Sequence, residues 1–175
     1  LNKLNLRVWL IFVFGICYLY THFNELIPVR NGLGFDGFHY YKVVLDGVNQ
    51  IANKEINGYH FFRIFPYILF DVFNFPESID FTLKSFRMIN LIAIAASIFY
   101  YYQICKYFKL KENIKDLGFI LLFYSFPILK YVNYNPMQTD HISFFLAISG
   151  LYYTFRKKHF QTSVILILSL FNFPS

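Results

Sequence analysis

Five long apolar runs, separated by short polar segments, dominate the pattern of this chain. A transmembrane helix needs about 20 mainly apolar residues, and each run approaches that length. The third and fourth runs are short, which predicts thin or tilted helices. The pattern therefore predicts an all-α membrane protein, a polytopic transmembrane helical bundle. Its predicted spans are Val8–Leu26, Met88–Cys105, Leu117–Val132, His141–Phe155 and Phe160–Ser175.

The first apolar run could be either an uncleaved helix or a secretory signal peptide. A signal peptidase needs small residues at its cleavage site. This run instead ends in the bulky sequence YLYTHFN. The sequence therefore favours an anchor that stays in the protein.

Composition supports a membrane location. The chain is 57% hydrophobic and 23% aromatic, and only 15% of its residues are charged, against about 25% in a soluble domain. The net charge of +6 does not indicate nucleic-acid binding, because the basic residues lie at the ends of apolar runs and form no stripe with aromatic residues between them. Cys17 and Cys105 both lie in apolar runs and match no metal or redox spacing.

The basic residues predict an orientation. Lys3 and Arg7 precede the first run, four lysines separate the second run from the third, and Arg156–Lys158 separate the fourth from the fifth. These segments share one side if the region 28–87 makes no net crossing, and the positive-inside rule makes that side cytoplasmic. Regions 28–87 and 131–140 then face outward. The longer of the two carries six cationic and six acidic residues, so it is neutral.

The first outer region contains the unusual sequence NGLGFDGFHYYKVV, Asn31–Val44. Asp36 occupies the position expected of a helix N-cap. The length and the flanking charges predict a helix that lies along the outer membrane surface. Its helical spacing is given by Phe38, Tyr41, Leu45 and Val48.

The later stretch FFRIFPYILFDVFNF, Phe61–Phe75, is too short to cross the membrane twice and contains charged residues. Pro66 is expected to bend it. A re-entrant or interfacial hairpin fits this combination best.

The chain shows no repeat, low-complexity tract or linker, so residues 1–175 are treated as a single transmembrane domain. It begins with Leu1 and ends within an apolar run that has no closing charge. We therefore expect it to be the N-terminal fragment of a longer protein.

Asp36 itself has two interpretations. As an N-cap it accepts backbone hydrogen bonds, with Gly34 and Gly37 permitting a tight entry into the helix. As a functional group it presents a carboxylate at the boundary of water and lipid, where partial desolvation makes a better general base. The two roles can share one geometry.

The order of these features resembles the membrane-embedded glycosyltransferases of the GT-C superfamily. An uncleaved first helix is followed by GFDGFHYYKVVLDG, then by GYHFFRIFPYIL, and then by YNPMQTDHISFFLAISGLYY. The resemblance covers most of the chain, from Arg7 to Tyr153, and rests on the whole pattern. It implies transfer of a sugar from a polyprenyl-phosphate donor to an acceptor hydroxyl on the outer face of the membrane.

The resemblance implies that Asp36 is the catalytic carboxylate, acting as general base. Many members carry a D-x-D or E-x-D pair, but Phe38 stands at the second position here. No metal ligand is therefore assigned, and a divalent metal cofactor stays open.

The same chemistry needs groups that bind the sugar and stabilise the leaving phosphate. Arg63 could clamp the phosphate in bidentate fashion, or it could be a snorkelling anchor. His60 and His39 could contact the sugar or phosphate, although a His among aromatic residues often only packs. Tyr40 and Tyr41 could stack on a sugar ring, or they could belong to an interfacial aromatic belt.

Asp140 and His141, which follow the second outer region, complete the predicted substrate-binding group. Asp140 could instead be the N-cap of the next helix. An acid at the outer edge of the bilayer, on the same side as Asp36, nevertheless suits contact with a substrate.

The implied partners are the polyprenyl-phosphate sugar donor, membrane lipids and a glycan, lipid or protein acceptor, and no nucleic acid. The implied location is a bacterial plasma (inner) membrane, with the active site facing outward and a role in cell envelope polysaccharide. Two alternatives stay open: a polytopic transporter or lipid flippase, and a noncatalytic subunit of a polysaccharide-assembly complex. A transporter places its ionisable residues near mid-membrane, whereas the acids here cluster in outer loops and at helix ends.

Overall fold

Helices form the regular structure of the residues that the computed structural model describes, which are 3–24, 26–52, 65–125, 128–129, 134–138, 140–170 and 172. The all-α prediction is confirmed for these residues. A short 3-10 turn at Arg30–Gly32 precedes the second helix. The α-helices are α1 (Lys3–Asn24), α2 (Gly34–Ala52), α3 (Phe65–Val72), α4 (Ile79–Tyr107), α5 (Glu112–Phe123), α6 (Asp140–Phe155) and α7 (His159–Leu170).

In the described part of the chain, two helices are long and apolar enough to cross a membrane, namely α1 through its segment Leu6–Phe23 and α4 along Ile79–Tyr107. Only 17% of the α1 segment is buried, so most of its apolar surface faces outward. Helices α6 and α7 have 16 and 12 residues. At 1.5 Å per residue they reach roughly 24 and 18 Å, less than the about 30 Å of a hydrocarbon core.

Several predicted spans have different bounds in the structure, beginning with α1, which runs from Lys3 to Asn24 where Val8–Leu26 was predicted. Helix α4 begins at Ile79, well before Met88, because Ser78 is its N-cap and accepts a hydrogen bond from the Phe81 amide at 3.2 Å. The predicted span Leu117–Val132 is not one helix, since α5 ends at Phe123 and a bend follows. The sequence has a proline at position 127, which cannot donate a helical hydrogen bond to the carbonyl four residues earlier, that of Phe123.

Pro66 is the second residue of α3. The first part of the stretch Phe61–Phe75, residues 61–64, lies outside the described residues, so the predicted bend at Pro66 stays a prediction. Proline is well tolerated in the first turn of a helix, where the missing N–H has no helical partner in any case. Pro66 therefore helps to start α3, and the chain returns to α4 through residues 73–78.

Helices α1 and α5 run in the same direction. At one end of α1, Arg7 forms ion pairs with Glu112 and Asp116. Further along, the Tyr124 hydroxyl donates to the Leu10 carbonyl at 2.7 Å. Later residues of α1 therefore contact later residues of the α5 segment, as expected of parallel helices.

Helices α4 and α6 run in the opposite direction to α1 and α5. The Tyr101 hydroxyl of α4 donates to the Lys115 carbonyl at 2.6 Å, near the start of α5. The hydroxyls of Tyr100 and Tyr153 lie 2.9 Å apart, so α4 and α6 are side by side. Near the start of α4, the Asn90 amide donates to the Pro136 carbonyl at 3.0 Å, just before α6 begins.

The bundle consequently has two distinct ends. We call one the basic end; it contains the start of α1, the α4–α5 turn and the α6–α7 turn. We call the other the loop end; it contains the start of α2, the starts of α4 and α6, and residues 134–138.

Two buried clusters hold the helices together. At the loop end, α2 and α3 pack on the start of α4 through Tyr40, Val44, Tyr67, Phe70 and Phe86. Along the bundle, α1, α4 and α5 pack through a second set, which includes Phe14, Tyr18, Ile94, Phe119 and Phe123. The first cluster fixes α2 on the bundle and so positions its first turn.

Candidate functional site

The first turn of α2 packs directly against residues 134–138. A Cβ atom at Gly37 would lie 2.7 Å from the Met137 Cβ, and one at Gly34 would lie 3.0 Å from the Asn135 Nδ2. The Ile27 amide also donates to the Tyr134 carbonyl at 2.8 Å. The two outer regions predicted from the sequence therefore meet at the loop end.

This contact explains the glycines of the sequence NGLGFDGF. Gly32 and Gly34 have φ values of 93° and 72°, in the left-handed region that glycine adopts without strain. Gly37 has helical geometry, but it leaves no room for a side chain beside Met137. The glycines thus serve both the turn into α2 and its close approach to residues 134–138.

Replacing Gly37 with Ala is expected to destabilise the loop end by about 1–2 kcal/mol, because the new methyl group overlaps Met137. Gly15→Ala is the matched control, since a Cβ at Gly15 meets nothing within 4 Å. Alanine is the better helix former, so the control should be neutral or stabilising. Thermal unfolding in detergent measures both variants. Equal effects of the two substitutions would contradict the close packing of Gly37.

A stack of aromatic rings from α2, α3 and α4 holds the first turn of α2 in place. The Tyr40 and Tyr67 rings are parallel within 2°, with centroids 4.5 Å apart. Tyr67 stacks in turn on Phe86 at 4.8 Å. The Tyr67 hydroxyl also donates a hydrogen bond to the Met137 carbonyl. One tyrosine of α3 therefore joins α2 to residues 134–138.

Tyr40 and Tyr41 were predicted to contact a sugar, and both are buried. The Tyr41 hydroxyl donates to the Glu77 carbonyl at 2.8 Å. Burial, together with the nearby Glu77 carboxylate, raises the pKa of Tyr41. Sugar contact by these tyrosines stays a prediction, and their observed contacts are structural.

Helix α2 buries one face against α3 and α4. Its buried side chains include Tyr40, Tyr41, Val43 and Val44, whereas Leu45, one of the residues that give the helical spacing, is 39% exposed.

Asp36 lies in the first turn of α2 and is partly exposed. Its predicted position as N-cap is wrong, because the helix begins at Gly34, two residues earlier. A carboxylate in the first turn still interacts favourably with the positive end of the helix dipole. The Asp36 side chain is accessible. Its backbone is held in place because the next residue, Gly37, packs against Met137.

Among the members of the predicted site that the structure describes, Asp140 and His39 are also accessible. Asp140 is the first residue of α6 and is partly exposed. It is only two positions beyond Gln138 in the chain, so it lies at the same end of the bundle as Asp36. His39 is exposed on α2, with its ring edge-on to Phe38 at 5.9 Å.

His141 has no exposed surface. Its Nε2 lies 3.1 Å from the Ile128 carbonyl, and its Nδ1 lies 3.3 Å from the Tyr18 hydroxyl. Because a carbonyl only accepts, Nε2 carries the proton, and Nδ1 of the neutral ring accepts from Tyr18. His141 thus connects α1, α6 and residue 128, and substrate contact by it stays a prediction.

Arg63 and His60 lie outside the described residues. The predicted approach of Arg63 to Asp36 is therefore not described by the structure. Among the described residues, no group of three or more His, Cys, Asp or Glu side chains is placed to hold a metal ion.

An apolar groove lies beside the loop end, between α3, α4 and α6. It has a volume of about 420 Å³, and its lining includes Leu69, Phe73, Ala96 and Phe145. An adjoining groove of about 480 Å³ shares Phe70, Phe75 and Ile89 with it and reaches the exposed Lys84. The combined surface is apolar along its length and cationic at one edge.

Two buried amide oxygens also lie at the loop end. Asn90 Oδ1 and Asn135 Oδ1 have no hydrogen-bond partner within the described part of the chain. Each is a buried acceptor, and an unsatisfied buried acceptor costs about 1–3 kcal/mol.

Sequence reasoning missed several of these features. It counted Lys84 only as part of a neutral loop, and it gave no role to Asn90, although a polar residue within a predicted span is a signal. Asn135 and Met137 gave no local signal, because their contact with α2 joins residues about a hundred positions apart.

The chain matches no protein-family model, no curated protein and no solved structure. A function can therefore be inferred only from the geometry of the loop end and the chemistry of its residues.

Proposed function

We propose that the protein is a polytopic membrane glycosyltransferase that transfers a sugar from a polyprenyl-phosphate donor to an acceptor hydroxyl. In this proposal the basic end is cytoplasmic, the loop end faces outward, and the membrane is a bacterial plasma membrane. The supporting observation is the tight contact of Gly34 and Gly37 with Asn135 and Met137. It joins the turn that carries Asp36 to the segment that leads into Asp140.

The reaction needs a base on the acceptor side. The acceptor oxygen forms a bond to the anomeric carbon, the bond from that carbon to the phosphate oxygen breaks, and the lipid phosphate leaves with the bonding electrons. Asp36 takes the proton of the acceptor hydroxyl. Its accessible carboxylate on a fixed first turn suits that role, because a base must be held near the proton it removes.

The leaving phosphate gains charge as its bond to the sugar breaks, so a cation nearby stabilises the transition state. Lys84 is exposed at the edge of the adjoining groove, one end of which is apolar. A polyprenyl phosphate is complementary to this surface, because it has an apolar chain and an anionic phosphate. We assign the groove to the lipid chain and Lys84 to the phosphate.

Filling the groove should weaken donor binding selectively. Ala96→Trp places a large ring among the groove-lining residues, and we expect it to raise KM for the polyprenyl donor about tenfold, because it displaces part of the buried lipid. Ala95→Trp is the matched control, since Ala95 is exposed on the same helix and does not line the groove. Steady-state kinetics with a long-chain and a short-chain donor measures the effect. Equal KM changes in the two variants would remove the groove from the donor site.

A further inference from the structure

The basic end carries the excess positive charge of the chain. Its three segments contain nine cationic residues and two acidic ones, Glu112 and Asp116. The whole chain has a net charge of +6. The rest of the molecule is therefore close to neutral, and the positive potential is confined to this end.

The two acids of this end are already engaged. Arg7 pairs with both of them, and the Lys115 ammonium lies 2.7 Å from Glu112. Hydrogen bonds from Lys115 and from Arg7 lower the pKa of Glu112 to about 2. The structure shows no acidic partner, among the residues it describes, for the remaining lysines of the two turns, which are Lys106, Lys109, Lys111, Lys157 and Lys158.

The fold brings the two lysine-bearing turns together. Helices α4 and α6 end side by side, where Phe155 contacts Phe108 with ring centroids 4.8 Å apart and Tyr107 at 6.3 Å. Each turn contains a lysine in the left-handed region, Lys109 with φ 50° and Lys157 with φ 54°. The cationic groups thus belong to a defined surface built from two tight turns.

Helix capping alone does not account for this charge. A lysine stabilises a helix C-terminus through a dipole equivalent to roughly half a negative charge. Two helices end here, but α1, α5 and α7 begin here and contribute partial positive charges of the same size. The helix dipoles therefore leave the positive potential of the surface intact.

We propose that the α4–α5 and α6–α7 turns form a binding surface for the phosphate headgroups of anionic membrane phospholipids. Lysines beside a membrane attract anionic lipid. Tyr107 and Phe108, which are 44% and 48% exposed, lie between the lysines and can insert among the headgroups. The proposal rests on membrane insertion of the chain, and it is independent of the sugar transfer.

The test uses protein from the full open reading frame in nanodiscs that contain phosphatidylcholine and phosphatidylglycerol in equal amounts. The lipids retained after partial detergent stripping are quantified by mass spectrometry. The variant is Lys109→Asn with Lys157→Asn, because asparagine tolerates the left-handed backbone at both sites. The charge-matched control is Arg30→Asn with Lys42→Gln at the loop end, where Arg30 also has a positive φ of 52°.

The parent protein should retain phosphatidylglycerol in preference to phosphatidylcholine. The double variant at the basic end should lose that preference by roughly 10- to 30-fold, as expected for two lysines near a membrane surface, and the control should change it less than about twofold. High salt should reduce the preference of the parent. Absence of a preference in the parent, or equal losses in variant and control, would overturn the proposal. Sugar transfer in the same nanodiscs, measured separately, reports on the proposed enzymatic function.

Discussion

Replacing Asp36 with Asn is expected to reduce sugar transfer by about 100-fold to 10,000-fold, the loss typical of a missing general base. Asparagine keeps the size of the side chain and one acceptor oxygen, but it replaces the other oxygen with an NH2 donor and removes the basicity. Asp36 lies in the first turn of α2, so the variant also loses a favourable interaction with the helix dipole, worth about 0.3–1 kcal/mol. The variant should therefore express, insert and unfold nearly as the parent does.

A structural role of Asp36 predicts a different result. In that case Asp36→Asn and Asp36→Ala would lower the unfolding temperature, and transfer per folded molecule would stay near the parent rate. Asp46→Asn is a suitable control, because Asp46 is exposed on the same helix and its carboxylate accepts a hydrogen bond from Asn49 at 3.1 Å. A loss of transfer as large in Asp46→Asn as in Asp36→Asn would contradict a specific role for Asp36.

Replacing Arg7 with Leu is expected to lower the free energy of unfolding by about 2–3 kcal/mol. Arg7 pairs with Glu112 and Asp116, and the Asp116 side chain is only 11% exposed. Removing the guanidinium leaves that acid without its partner in a poorly solvated place. The partial exposure of Arg7, at 22%, makes the loss smaller than that of a fully buried pair.

Arg156→Leu is the matched control for Arg7→Leu. Arg156 is an exposed arginine of the same end, and it lies 5.9 Å from the Tyr152 ring. Denaturant titration in detergent should show a much smaller change for this control. A change in Arg7→Leu no larger than the change in Arg156→Leu would contradict a stabilising role of the ion pairs.

The effect of Arg7→Leu should also depend on pH. The folded protein holds the pKa of Glu112 at about 2, below the ordinary value of 4.5. A depressed carboxyl pKa stabilises the folded state above the ordinary value, and this stabilisation is lost as pH falls through the folded value. The difference between parent and variant should therefore shrink between about pH 4.5 and pH 2.

The sequence predicted the helical class and the order of the helices well. Apolar runs and basic turns are local features, and they depend on the chain's own composition rather than on distant contacts. The structure places Arg7, the α4–α5 turn and the α6–α7 turn at one end, in agreement with the grouping of the basic segments. Which side of a membrane that end occupies stays a prediction.

Helix bounds were predicted less well, for physical reasons that differ from case to case. Ser78 caps α4 earlier than the apolar run suggests, because a polar first turn can precede a membrane span. Pro66 lies in the first turn of α3, a position that proline tolerates well. Asp36 has the residue type of an N-cap, but the left-handed Gly34 already turns the chain into the helix.

The contact between the two outer regions could not be predicted from spacing. Gly37 and Met137 are far apart in the chain, and their approach depends on Tyr67 of α3, which stacks on Tyr40 and donates to the Met137 carbonyl. Sequence analysis selected Asp36 and Asp140 for their chemistry, and the fold places both at the loop end. It gave no signal for the apolar groove, whose walls come from three helices.

The most direct test of the proposed glycosyltransferase follows the sugar and the lipid phosphate of the donor separately. Protein from the full open reading frame is reconstituted in liposomes with polyprenyl-phosphate sugars that carry one label on the sugar and another on the lipid phosphate. The account predicts that the sugar label moves to an acceptor hydroxyl while the phosphate label stays on the polyprenyl lipid, and that Asp36→Asn prevents this separation. Movement of the intact doubly labelled lipid across the bilayer, without separation of the labels, would contradict a glycosyltransferase and would instead identify a flippase.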